Sequence, residues 1–122
     1  MPRPIHFDIS AENPEQATRF YADVFGWQFQ KWEGPMDYWL ISTGTNGELG
    51  IDGGLSRRNG HGIATVNTVG VPSADEYVER ITRAGGSVLM PKSAIPGVGW
   101  FAMCADPEGN SFGIMQDDPQ AR

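Results

Sequence analysis

The stretch Ile5-His6-Phe7-Asp8-Ile9-Ser10, followed by Asn13-Pro14-Glu15-Gln16-Ala17-Thr18-Arg19-Phe20-Tyr21-Ala22-Asp23-Val24-Phe25-Gly26, carries the key to the architecture. Its first part alternates apolar and polar residues with period two, the signature of a strand with one buried face. Its second part opens with Asn13 as a cap, Pro14 at the first helical position and Gln16 three residues after the cap, a capping-box arrangement. Ala17, Phe20, Tyr21, Val24 and Phe25 then recur three and four residues apart, one apolar stripe of a helix. Gly26 supplies the left-handed residue that ends it. A strand leads into a helix.

The same grammar occurs again further along the chain. Ile63–Val71 reads as a strand, and Ser73 with Glu76 caps a second helix that buries Ala74, Tyr77, Val78 and Ile81 before Gly85-Gly86. Three strand-like segments follow each helix. After the first come Trp27–Trp32, Tyr38–Thr43 and Glu48–Asp52. After the second come Ser87–Met90, Trp100–Ala105 and Ser111–Gln116, the last two joined by the turn Asp106-Pro107-Glu108-Gly109. The pattern β-α-β-β-β is therefore written twice, and Leu49-Gly50-Ile51 echoes Phe112-Gly113-Ile114. Residues 57–62 are the expected linker. A duplicated βαββ, ferredoxin-like plan leaves no room for the third strand after each helix.

Composition sets the class. At 122 residues one domain spanning 1–122 is expected, with one module at about 4–55 and the other at about 62–116. Sixteen glycines and nine prolines suit a chain of short strands better than a helix bundle. Acidic residues outnumber basic ones by 15 to 9, a balance that disfavours nucleic acid and anionic lipid as partners. No apolar run is long enough for a membrane span. The first residues lack the apolar core of a signal peptide, and the single Cys104 has no partner for an internal disulfide, so a cytoplasmic protein is expected.

Several residues together resemble a known family. They are His6 and Pro14 ahead of Ala17-Thr18-Arg19-Phe20-Tyr21-Ala22-Asp23-Val24-Phe25-Gly26-Trp27, then Arg83-Ala84-Gly85-Gly86, then Ala105-Asp106-Pro107-Glu108-Gly109-Asn110-Ser111-Phe112-Gly113-Ile114-Met115-Gln116. This series is similar to the vicinal oxygen chelate superfamily, which includes glyoxalase I, bleomycin-resistance proteins, extradiol dioxygenases and fosfomycin-resistance enzymes. The small bacterial glyoxalase-related branch shares Gly50-Ile51-Asp52-Gly53-Gly54 and Ile95-Pro96-Gly97-Val98-Gly99-Trp100. The resemblance implies an α+β fold: two tandem βαβββ modules forming a curved mixed-sheet cleft with helices on the outside.

The resemblance also implies four metal-ligand positions, one on the first and one on the last strand of each module. They fall on His6, Val66 (or Asn67 with a one-residue slip), Gly50 and Gly113. One imidazole is too few ligands for a divalent ion, since protein sites use three or four. No cofactor is expected; a divalent metal, with Asp52 joining His6 and Asp8, is the alternative. Alternation along β-segments turns His6, Asp8 and Ser10 toward the cleft and packs Ile5, Phe7 and Ile9 under the helices. It likewise sends Leu49 and Ile51 outward, leaving Gly50 and Asp52 inside, with Gly113 and Met115 inside in the other module.

His6 and Asp8 are accordingly the candidate acid/base and ligand-contacting pair. Trp39, Asp52, Val66, Trp100 and Met115 are the candidate cleft residues. Tyr38 and Phe101 neighbour the two tryptophans, and one member of each aromatic pair should face the cleft. Glu48 reads as solvated, Cys104 as structural and His61 as a linker residue. The expected function is binding of a small organic molecule without the family's metal site. The alternative is a glyoxalase-related lyase, isomerase or dioxygenase-like enzyme, metal-dependent or using His6 as acid/base. The resemblance implies a homodimer.

Overall fold

Ten elements follow one another in the computed structural model, which describes residues 2–58 and 65–122. They are β1 (Arg3–Ala11), α1 (Pro14–Phe25), β2 (Gln28–Lys31), β3 (Tyr38–Ser42), β4 (Gly53–Arg57), β5 (Thr65–Gly70), α2 (Ala74–Arg83), β6 (Ser87–Ile95), β7 (Gly99–Ala105) and β8 (Ser111–Asp117). The order is β-α-β-β-β twice, an α+β chain. It divides into two compact units, one of His6–Val66, the other of Asn67–Arg122 with the residues before His6 up to Ile5. No helix among the described residues is long and apolar enough to cross a membrane.

Both helices start as their caps dictate. The Asn13 side chain accepts from Gln16 N at 3.1 Å, and Ser73 Oγ accepts from Glu76 N at 3.2 Å. Gly26, at φ 74°, ends α1 by donating its N–H to Ala22 O.

In the first unit β4 pairs parallel with β1 and antiparallel with β3, which pairs antiparallel with β2. Leu55 and Ile41 are its buried centre. Phe7 meets Trp27, which stacks on Tyr21 of α1 at 5.2 Å between ring centroids. In the second unit β8 pairs parallel with β5 and antiparallel with β7, which pairs antiparallel with β6. Val71, Ala74, Ala102, Cys104 and Ile114 form the core beneath α2, with Tyr77, Val78, Ile81, Trp100 and Phe112 packed around them. Burial raises the Cys104 thiol above its ordinary range.

The structure corrects the fourth strand. Glu48–Asp52 is not a strand; β4 runs from Gly53 to Arg57. Gly47 and Gly50 sit at φ 96° and 140°, conformations that interrupt an extended chain. Side chains close the loop: Glu48 Oε1 accepts from Thr45 N and Oγ1 at 2.6 Å, and Asp52 Oδ1 accepts from Thr43 N at 2.9 Å. Leu49 therefore packs under no helix and is fully exposed. Arg57, expected to open the linker, pairs instead with Ala11 as the last residue of β4. The rest of that linker, with His61, lies outside the described residues. Ile95–Gly99 is a turn between β6 and β7, closed by Val98 N donating to Ile95 O at 2.9 Å.

Candidate functional site

Register decides which side chains share a face, because directly paired residues project to the same side of a sheet. In the first unit Asp8 pairs with Gly54, Gly54 with Leu40, and Leu40 with Gln30. Alternation adds His6, Tyr38, Gln28 and Ser42 to that face. The other face carries Phe7, Ile9, Leu55, Ile41 and Trp39, with Lys31 Nζ 5.3 Å from the centre of the Trp39 ring. Trp39 was an expected cleft residue. Its pairing with Leu55 places it on the face opposite His6 and Asp8, and Tyr38 is the aromatic that joins them.

His6, Tyr38 and Asp8 form a hydrogen-bonded string. The Tyr38 hydroxyl donates to Asp8 Oδ1 at 2.7 Å, and His6 Nε2 lies 3.3 Å from the same hydroxyl. His6 Nε2 is also 3.5 Å from Asp8 Oδ1, and about a third of each of these two side chains is exposed, at 34% and 32%. Burial, then the Asp8 charge and hydrogen bond, push the Tyr38 phenol far above its ordinary value of 10.0, so it stays a donor.

Gly54 makes the string possible. A Cβ there would overlap the Tyr38 hydroxyl and come within 2.8 Å of Asp8 Oδ1. Beside the string, His6, Gln28, Gln30, Leu40, Ser42 and Asp52 line an open depression. Asp52 borders that depression as a loop cap, its Oδ1 occupied by Thr43.

Trp32 extends the face. Its N–H donates to Tyr38 O at 2.8 Å, and its indole stands edge-on to the Tyr38 ring at 6.2 Å. A Cβ at Gly34 would overlap that indole, so the glycine gives the ring its place. Trp32 remains 41% exposed. Sequence pattern alone singles out neither Trp32 nor the Tyr38 string. The available signal is strand parity once β3 is paired with β4.

The second unit repeats the geometry with different chemistry. Thr68 pairs with Gly113, as Asp8 does with Gly54, and Gly113 pairs with Met103. A Cβ at Gly113 would come within 2.6 Å of the Phe101 ring and 2.9 Å of Thr68 Oγ1. Phe101 thus stands where Tyr38 stands, without the hydroxyl. Thr68, 2% exposed, has no hydrogen-bond partner for its Oγ1 among the described residues. Met115 pairs with Phe101 on this face. Trp100, expected in the cleft, lies on the other side, packed with the core under α2. Its Nε1–H donates to Asp118 Oδ2 at 2.9 Å, and Lys92 Nζ sits 4.8 Å above its ring.

The family's metal set does not fit these residues. Gly50 lies in a turn, and the last-strand position paired toward β1 is Gly54, another glycine filled by Tyr38. Gly113 is covered by Phe101, and Val66 is a buried hydrocarbon. Among the described residues no three His, Cys, Asp or Glu side chains converge.

Comparison with known proteins accords with this architecture. Residues 5–115 match the family model described as a glyoxalase-like domain. The anthracycline biosynthesis protein DauV of Streptomyces sp. (strain C5) is 28% identical over 127 residues, covering 93% of this chain and 46% of DauV. The chain thus spans less than half the length of that curated relative. Among solved structures, a glyoxalase/bleomycin resistance protein/dioxygenase superfamily member from Vibrio splendidus superposes with a TM-score of 0.70 at 16% identity, covering 97% of this chain and 100% of that one. Methylmalonyl-CoA epimerase from Mycobacterium tuberculosis gives 0.69 at 14%, covering 95% and 88%. With the duplicated β-α-β-β-β plan and a family match over nearly its whole length, the chain belongs to the glyoxalase-like domain family.

Proposed function

We propose that this chain binds a small organic molecule on the first unit's open sheet face, without the metal ion of its metal-using relatives. The observation that carries this reading is the His6–Tyr38–Asp8 string beside a depression lined by His6, Gln28, Gln30 and Leu40. Convergent polar groups on a partly apolar concave surface are what orient a small ligand. The exposed Trp32 indole offers a flat ring a stacking surface. A relative named for anthracycline biosynthesis makes flat, hydroxylated polycycles the first class to try.

A second reading is favoured by the partial exposure of His6. A lyase, isomerase or dioxygenase-like enzyme would use that imidazole as acid/base, with Tyr38 and Asp8 stabilising the charged ring. Both readings take the chain as a cytoplasmic homodimer; sedimentation analysis of the purified protein tests the dimer, and fractionation of the source cells tests the location.

Thermal-shift titration with 1,8-dihydroxyanthraquinone and a panel of metabolites and antibiotics tests binding. A ligand at 100 times its dissociation constant adds about 2.7 kcal/mol of stability. The expected result is a saturable rise in Tm that His6→Ala and Trp32→Ala each weaken. A panel without any such ligand overturns the proposal, and turnover of a hit that vanishes with His6→Ala establishes the enzyme instead.

A further inference from the structure

The hydrogen-bond partners of His6 fix where its proton sits. A phenol has one proton to give, and Tyr38 gives it to Asp8 Oδ1 at 2.7 Å, because a carboxylate can only accept. The Tyr38 oxygen is then an acceptor toward its other neighbour, His6 Nε2, at 3.3 Å. The second group near Nε2 is Asp8 Oδ1 at 3.5 Å, again an acceptor. A lone pair on Nε2 would face two acceptors, whereas an N–H there satisfies both.

We infer that neutral His6 carries its proton on Nε2, and that its Nδ1 lone pair makes this face a receptor for ligands presenting an O–H or N–H donor. Nδ1 has no hydrogen-bond partner among the described residues, and the imidazole borders the depression. Asp52, on the same rim, is a second acceptor. No described lysine or arginine lines the depression, and Lys31 and Arg57 of this unit are both engaged by Asp37, at 3.5 and 3.0 Å. A carboxylate or phosphate would therefore find no described cation in the depression, only the neutral donors of Gln28, Gln30 and Ser42 beside the acceptors. Phenols, alcohols and amines match the polarity. This substrate class rests on the binding reading proposed above; the tautomer does not.

Long-range 1H–15N correlation spectra of the full chain at about pH 8.5, above the ordinary imidazole range near 6.5, read the tautomer directly. His61→Gln separates the signals of the two histidines. The expected result is a protonated Nε2 and an unprotonated Nδ1 on His6. Titration with 4-methylphenol and with 4-methylbenzoate follows, and the phenol should move the His6 Nδ1 resonance with an affinity about tenfold above the benzoate, the ratio that one mismatched polar contact of about 1.4 kcal/mol gives. A proton on Nδ1 overturns the inference whatever binds, and so does a benzoate that binds at His6 as tightly as the phenol. The expected tautomer without binding of either probe, or of the wider panel, leaves the proton assignment standing and overturns the binding reading.

Discussion

Gly54→Ala is the substitution whose cost the geometry of the site defines most sharply. The added methyl group would occupy the space of the Tyr38 hydroxyl and approach Asp8 Oδ1 to 2.8 Å, so the phenol has to leave. Losing a hydrogen bond to a charged group costs about 1.5–3 kcal/mol. Forcing a methyl into a filled site adds about 1–3 kcal/mol. Together these give about 2.5–6 kcal/mol, or a fall in Tm of roughly 10–24 °C for a chain of this size. Chemical and thermal denaturation of four proteins measures it: wild type, Gly54→Ala, Tyr38→Ala and the double variant. Removing the ring first should leave the new methyl with only the mobile Asp8 carboxylate close by, so the second step should cost less than about 1 kcal/mol and the cycle should show coupling of about 1.5 kcal/mol or more. Equal costs for Gly54→Ala in both backgrounds would sink this explanation, since the methyl would then be clashing with something other than Tyr38.

Further outcomes follow from the same structure. Thr68→Val removes a buried hydroxyl that has no partner among the described residues while keeping its shape, so stability should rise by about 1 kcal/mol in denaturant titration; a loss would mean the hydroxyl is satisfied. In spectrophotometric titration the Tyr38 phenol should stay protonated through its ordinary value of 10.0. Because its folded value is raised, the stability that it adds is complete below the unfolded phenol's range and is lost as pH climbs above it; Tyr38→Phe should remove that alkaline dependence. Asp118 runs the other way. Its hydrogen bond from Trp100 holds the carboxyl below 3.8, so its contribution is present above that value and disappears as pH falls further, and Trp100→Phe should blunt this acid limb. Asn13→Ala should cost about 1 kcal/mol by removing the cap of α1.

The helices and most strands are legible in the sequence because local chemistry specifies them. Asn13, Pro14 and Gly26 mark one helix with no help from the tertiary structure, and the period-two alternation of residues 5–10 places His6 and Asp8 on one face as observed. The fourth strand is not legible. Gly53-Gly54 reads as a turn by propensity, and its reason for being a strand lies in residues far along the chain: the Phe7 backbone and the Tyr38 phenol need the space. A strand placed at Glu48–Asp52 gives Gly50 the role that belongs to Gly54. The choice between Tyr38 and Trp39, and between Phe101 and Trp100, fails for a related cause. Either aromatic can face either way until pairing with Leu55 or Ile114 fixes the parity of the strand. Trp32 lies one residue past β2, where alternation loses its force, and only its contact with Tyr38 reveals its direction.

Gly54, covered by Tyr38, and Gly113, covered by Phe101, stand where a metal site of the family's kind would need carboxylates. Elemental analysis by mass spectrometry, on protein purified without a histidine tag, is the decisive measurement. Zinc, nickel, iron and manganese should all lie far below one ion per chain, before and after incubation with each metal and desalting. One tightly held ion per chain that disappears in His6→Ala would contradict the proposed metal-free site.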